Sequence, residues 1–328
     1  MAEWLYEAGI GEERAILVEG GSIVAARVCW GETVRAGLVA GARLVAKAAG
    51  ARRGLARLDA GEEVLVDALP ASANEGDRLV VRIVRPALAE QGRIKRAQAR
   101  VADGEPLAAA PPLFEALAAG DAAVRRVRIE GSEFAEAGWD ELVEEAVGGT
   151  IVFAGGELTV SPTPAMTLID VDGFGPPADL ALAAVPAIAR ALARLDLGGA
   201  VGIDFPTPAD KRERHTIDAA LGEALRGWRG ERTAINGFGF VQLVSRLERP
   251  SLVARYAQRS AAGARILLRR AERVVEPGVL ELAAHPAVRR AVLPEWEAEL
   301  ARRTGRTIRW REDPALAPHA AFAQAVAA

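Results

Sequence analysis

The sequence is poor in the residues that most often announce chemistry. One cysteine, Cys29, occurs among 328 residues, which excludes an intramolecular disulfide and a thiolate zinc site. Only three histidines are present, His215, His285 and His319. His285 precedes Pro286 and His319 falls in a proline-rich tail, neither near a serine or cysteine motif, so a nucleophilic triad finds no support. His215 lies in the basic run Lys211-Arg212-Glu213-Arg214-His215, where it reads as a solvated helix residue or a phosphate contact. No Walker A pattern occurs, and Gly148-Gly149 and Gly155-Gly156 are turn glycines. No apolar run reaches the about 18 residues of a membrane span. The start, Met1-Ala2-Glu3-Trp4, has neither the charged nor the apolar region of a secretion signal. A cytoplasmic protein without membrane contact is the expectation.

What is present suits a globular chain. Half of the residues are hydrophobic and 26% are charged, and 34.5 kDa leaves room for two or three domains with their own cores. The net charge of −3 and a pI near 5.9 argue against a grip on nucleic acid through phosphates alone. The positive charge is nevertheless clustered. Arg52, Arg53 and Arg57 lie together, as do Arg93, Lys95, Arg96 and Arg100. Arg265, Arg269 and Arg273 recur every fourth residue on one helical face. Any one cluster reads as a solvated face; several around one site predict a surface that tracks phosphates.

Apolar-rich runs at 13–18 and 22–28, around Glu19-Gly20-Gly21, predict a β-hairpin within residues 1–30. Over 36–84, short strands separated by Gly61 and by Asn74-Glu75-Gly76-Asp77 predict a five-stranded barrel. The stretch 101–112 reads as a linker. A strand over 124–129 and a helix over 139–146 follow. Near the end, a segment over 274–282, His285-Pro286-Ala287-Val288, a helix over 295–301 and a strand over 307–310 predict a small α/β piece.

Two stretches carry the chemistry, Leu168-Ile169-Asp170-Val171-Asp172-Gly173 and Leu197-Gly198-Gly199-Ala200-Val201-Gly202-Ile203-Asp204-Phe205. Each is an apolar run that stops at an aspartate, with a helical stretch over 179–195 between them. The pattern predicts strand–helix–strand with a carboxylate at both strand ends. An aspartate after a strand is commonly a turn residue or a helix cap. Two of them bracketing one crossover equally suit a hard, anionic oxygen site for Mg²⁺.

The residues around them resemble the catalytic domain of the bacterial ribonuclease E/G family. That family has a strand ending Ile-Asp-Val/Ile-Asn, then a helix, then Leu-Gly-Gly-x-x-x-Ile-Asp-Phe. Here Thr167-Leu168-Ile169-Asp170-Val171-Asp172 is followed by Leu197-Gly198-Gly199 and Ile203-Asp204-Phe205. Lys211 and Arg212 stand where the family has a basic cluster, and Leu221 and Glu223-Ala224 keep its helix register. Phe238-Gly239 and Arg249-Pro250-Ser251-Leu252 match a Phe-Gly-Leu-Leu-Glu-Met…Ser-Pro-Ser-Leu segment. The likeness is close to gapless over 155–252. Glu75-Gly76-Asp77 running into Leu79-Val80-Val81-Arg82-Ile83 is similar to the family's barrel, a more limited likeness.

The departures matter equally. Asp172 replaces an asparagine, Gly173-Phe174-Gly175 replaces a polar run ending in a cation, and Thr207 replaces a second acid. Thr163-Pro164-Ala165-Met166 replaces a segment that normally includes Glu. Arg53-Gly54-Leu55 stands where the family has Gly-Phe, which weakens base stacking on the barrel. The interval before Asp170 is too short for the subdomain that senses RNA 5′ ends, and 253–266 lacks the Cys-x-x-Cys zinc-link.

The resemblance implies an α+β chain in four parts. These are a reduced ribonuclease H-like part (1–34 with 101–150), an OB-type RNA-binding barrel inserted in it (35–100), a DNase I-like catalytic subdomain (151–258) and a small C-terminal KH-like domain (259–328). It implies a metal-dependent endoribonuclease acting on single-stranded RNA and leaving 5′-phosphate ends. Asp170 and Asp204 would be metal ligands, with Asp172 as a third catalytic carboxylate. Lys211, Arg212, Arg53, Lys95, Arg265, Arg269 and Arg273 are the expected RNA contacts. Mg²⁺ is the expected cofactor, with Mn²⁺ able to replace it and no zinc; any homo-oligomer would form without the zinc-link. The competing expectation is a catalytically weak or silent RNA-binding protein of the same family. A phosphatase acting on small phosphates is disfavoured, because no compact phosphate pocket is readable.

Overall fold

The computed structural model describes residues 2–48, 50–90, 93–129 and 131–327. The chain opens with an antiparallel meander, β1 (Glu3–Gly9), β2 (Glu12–Glu19) and β3 (Ser22–Cys29). Gly20 and Gly21 take positive φ at the expected hairpin turn. The hairpin reading missed β1, whose residues Trp4 to Glu7 are buried on both faces and show no alternation.

Next come β4 (Val39–Lys47), β5 (Arg53–Leu58), β6 (Glu63–Asp67) and β7 (Arg78–Arg85), then the short pair β8 (Leu88–Glu90) and β9 (Arg93–Lys95). β10 (Ala97–Val101) closes a five-stranded barrel in the order β10-β6-β5-β4-β7. Alternating small and branched residues fill its interior, among them Ala42, Leu44, Ala56, Val64, Val66, Val81 and Ile83. The barrel is therefore as expected in strand number, with its last strand beyond the 36–84 span. The linker is pinned: Val39 and Ala108 exchange backbone hydrogen bonds of 2.9 and 3.0 Å.

After α1 (Leu113–Ala118), β11 (Ala123–Arg126) returns to lie parallel to β1, so one sheet runs β11-β1-β2-β3. The barrel is thus an insertion between two strands of a single sheet. Two helices follow, α2 (Glu133–Glu136) and α3 (Trp139–Gly148).

A six-stranded sheet holds the two aspartates. β12 (Thr150–Phe153), β13 (Gly156–Pro162) and β14 (Thr167–Gly173) are antiparallel neighbours. α4 (Pro177–Arg194) then crosses to β15 (Ala200–Asp204), which runs parallel to β14. α5 (Lys211–Ala224), β16 (Gly230–Arg232) and β17 (Phe240–Ser245) complete the order β12-β13-β14-β15-β17-β16. One face buries Leu158, Val160, Ile169, Val171, Val201, Ile203, Val241 and Leu243 against Leu180, Val185, Ile188 and Leu192 of α4 and Ile217 and Leu221 of α5. The opposite face carries the polar residues of the same strands.

The last part comprises α6 (Leu252–Tyr256), α7 (Arg259–Glu272), β18 (Val279–Ala284), α8 (Pro286–Ala291), α9 (Pro294–Thr304), β19 (Ile308–Glu312) and β20 (Phe322–Val326). Its sheet runs β19-β18-β20 over a core of Leu267, Leu268, Leu280, Leu282 and Leu300. β18 begins only after Pro277 and Gly278, the latter at φ +131°, so the expected segment over 274–282 is shortened at its start. The supposed proline-rich tail ends in a strand, β20, antiparallel to β18. Among the described residues no helix is long and apolar enough to cross a membrane.

Candidate functional site

β14 and β15 pair in parallel register from Thr167↔Val201 to Asp170↔Asp204. Register partners point to the same side of a sheet. Ile169, Val171, Ile203 and Phe205 turn into the core, so Asp170, Asp172 and Asp204 stand together on the other face. On β13, Thr159 lies opposite Asp170 and Glu157 opposite Asp172. Four carboxylates therefore occupy neighbouring positions on three strands. No described cation forms an ion pair with any of them, whereas Asp67, Asp196 and Asp218 are each matched by an arginine.

The ordinary roles of an aspartate at a strand end do not apply. Asp170 is the fourth residue of a seven-residue strand, not its terminus. Neither it nor Asp204 caps a helix: α4 starts after Pro176 without a side-chain cap, and α5 is capped by Asp210. Burial first, then the charges of Asp172 and Asp204, pushes the Asp170 carboxyl above the usual aspartate range. A cation between Asp170 and Asp204 would relieve that repulsion.

Any cation held by Asp170 and Asp204 would take most of its ligands from water or substrate. Among the described residues no group of three or more His, Cys, Asp or Glu side chains converges to hold a metal. Asp172 and Glu157 thus flank the pair instead of completing a protein cage. Mg²⁺ is typically bound by one or two carboxylates, with water and substrate phosphate filling the remaining positions. Zn²⁺ sites and Ca²⁺ cages want more protein ligands.

The loop after β15 leads into α5 through a side-chain cap at Asp210. The Asp210 carboxylate accepts from the N–H groups of Arg212 (2.7 Å) and Glu213 (2.9 Å), and Glu213 accepts from Ala209 N–H at 2.7 Å. That cap fixes Lys211 and Arg212 at the exposed start of the helix. Neither makes an ion pair among the described residues.

Two further loops meet this end of the sheet. Gly173-Phe174-Gly175 leaves β14, and Gly237-Phe238-Gly239 enters β17, the strand on the far side of β15. Phe174 is 93% and Phe238 81% exposed. In the sequence the first reads as loss of a cation and the second as a motif match, and neither reading singles out its ring. A Gly-Phe-Gly signature occurring twice was the available signal.

The predicted basic surface is only partly realised. Arg53 is exposed on the barrel but held by Asp67 at 2.5 Å. Lys95 lines a cavity of about 920 Å³ between barrel and sheet, shared with Arg82, Arg100, Thr167, Ala200 and Arg246. The stripe of Arg265, Arg269 and Arg273 is not an RNA-facing surface. Arg265 donates to the Gly11 and Ala261 carbonyls at 2.9 Å and lies 4.2 Å over the Trp30 ring. Arg269 is buried in ion pairs with Glu7 and with Glu12 at 2.8 Å, and Arg273 donates to the Ile129 carbonyl at 3.1 Å. Burial lowers the affinity of Arg265 and Arg269 for their protons. Arg269 is drawn inward by acidic partners on β1 and β2, with Glu12 lying 257 positions away in sequence.

No family model and no curated protein matches the chain.

Proposed function

We propose that the chain is a metal-dependent endoribonuclease of the ribonuclease E/G type, acting on single-stranded RNA with Mg²⁺ as cofactor. The observation that carries this reading is the in-register pair Asp170 and Asp204, neither of which forms an ion pair among the described residues. The motif resemblance over 155–252 supports it independently. On this reading the β11-β1-β2-β3 sheet is the reduced ribonuclease H-like part, the barrel an OB-type module, the six-stranded sheet the DNase I-like subdomain and the last part a KH-like domain.

Asp170 and Asp204 would hold the cation, which when bound supplies an activated water and neutralises charge on the phosphoryl oxygens. Asp172, beside them and without an ion pair among the described residues, is suited to orient that water and accept its proton. Lys211 and Arg212 hold the flanking phosphates. Water adds to phosphorus as the P–O3′ bond breaks and the departing O3′ takes a proton from solvent, leaving a 5′-phosphate and a 3′-hydroxyl. Single-stranded RNA is the substrate class that the family resemblance implies.

The second reading, an RNA-binding protein with little or no activity, draws on the absence of a convergent three-ligand group among the described residues. Incubation with end-labelled single-stranded RNA, with and without Mg²⁺, separates the two. Fragments that form only with Mg²⁺ support the nuclease; bound but intact RNA supports the alternative.

A further inference from the structure

We infer that Phe174 and Phe238 are paired stacking platforms for two unstacked nucleobases, one on each side of the phosphate at Asp170 and Asp204. This rests on the nucleic-acid reading above and specifies how that substrate is gripped. The chain has eight phenylalanines, six tryptophans and two tyrosines. All but these two are buried or half-buried. Two bare rings are costly in water, where each buried Å² of apolar surface would contribute about 25 cal/mol. Both fall at the one end of the one sheet that carries the carboxylate pair.

Their backbones are held while their rings are free. Phe174 N–H donates to the Gly155 carbonyl at 3.1 Å. The Asn236 side chain accepts from the N–H groups of Phe238 (2.9 Å) and Phe240 (3.0 Å), and Thr207 donates to the Phe238 carbonyl at 3.4 Å. The flanking glycines are required: a Cβ on Gly173 would meet the Gly155 carbonyl oxygen at 2.4 Å, and one on Gly239 the Phe205 oxygen at 2.4 Å. Gly239 also sits at φ +90°. Rings presented on ordered loops lose little entropy on binding.

The spacing selects the ligand. β14 and β17 flank β15, so the loops that carry the rings are about 10 Å apart at a strand spacing of about 4.8 Å. Stacked bases follow one another at about 3.4 Å, so bases resting on both rings cannot also stack on each other. The step between them is opened and its phosphate falls over β15, next to Asp204. Lys211 and Arg212, at the start of the helix after β15, complement the charge of such a strand. An apolar peptide would meet two separated rings flanked by charges. Because every base has a π-face, the platforms favour single strands with little sequence preference.

The test is equilibrium binding of a labelled single-stranded RNA octamer and of the same octamer lacking its two central bases. Ca²⁺ replaces Mg²⁺ so that turnover does not enter. Phe174→Ser and Phe238→Ser should each weaken binding of the intact octamer by about tenfold. Neither should alter binding of the abasic octamer or the melting temperature, and Phe174→Trp should retain native affinity. Native affinity in both serine variants, or an equal loss on the abasic octamer, overturns the platforms. So does an absence of RNA binding by the native protein or a preference for an apolar peptide. Cleavage in Mg²⁺ is scored separately. Stacking without cleavage removes the nuclease reading alone, and cleavage with serine-insensitive binding removes the platforms alone.

Discussion

The Asp170 carboxylate stands in register beside that of Asp204 on the next parallel strand, and burial together with its acidic neighbours holds it above the usual aspartate range. The folded chain therefore keeps this proton more tightly than the unfolded chain does. Stability contributed at low pH is lost as pH rises from the unfolded value near 3.8 through the raised folded value. Asp170→Asn removes that loss. Without divalent metal, the variant should melt at or above the native temperature at neutral pH, with the difference vanishing below pH 3.8. Added Mg²⁺ should raise the native melting temperature and leave the variant unmoved. A variant clearly less stable at neutral pH would show that the carboxylate has an attractive partner instead.

The buried charges near α7 make an opposite prediction. Glu7 accepts from Arg14 at 3.0 Å and pairs with Arg269, all within the interior. Glu7→Gln leaves Arg14 without its carboxylate partner and Arg269 with Glu12 alone, and should cost about 3–5 kcal/mol. The exposed pair Glu223–Arg226 should contribute under about 1 kcal/mol, tested by Glu223→Gln. Urea unfolding measures both. Similar small losses for the two variants would mean that water reaches the Glu7 cluster.

Phosphate contacts at α5 predict a salt effect. Replacing Lys211 and Arg212 together with Gln should flatten the dependence of log affinity for single-stranded RNA on log salt by up to about 1.4 units, at roughly 0.7 per contact. The melting temperature should not move, since both side chains are exposed. An unchanged slope would shift the contact to Lys95 and the cavity between barrel and sheet.

How much of this was legible in the sequence depends on the range over which each feature is determined. The Asp170 and Asp204 strands announce themselves through local apolar runs, and the barrel through its turn residues. β1 was hidden because burial on both faces erases the alternation that marks a strand. Arg265, Arg269 and Arg273 share a helix face, as their spacing requires. Which way the face turns was decided by Glu7 and Glu12, far off in the chain. Phe174 and Phe238 lie in different loops, and only the pairing of β15 with both β14 and β17 brings them to one end of a sheet. The two aspartates were legible as residues, but their shared register was not.

The central claim is that Asp170 and Asp204 together support hydrolysis of RNA. Its most direct measurement is the initial rate of Mg²⁺-dependent cleavage of single-stranded RNA by the native chain, Asp170→Asn and Asp204→Asn, each checked for native melting. The account predicts 5′-phosphate products from the native chain. It also predicts a fall in each variant larger than the about 10–100-fold that loss of an outer-shell group costs. Cleavage at the native rate in both variants would contradict it.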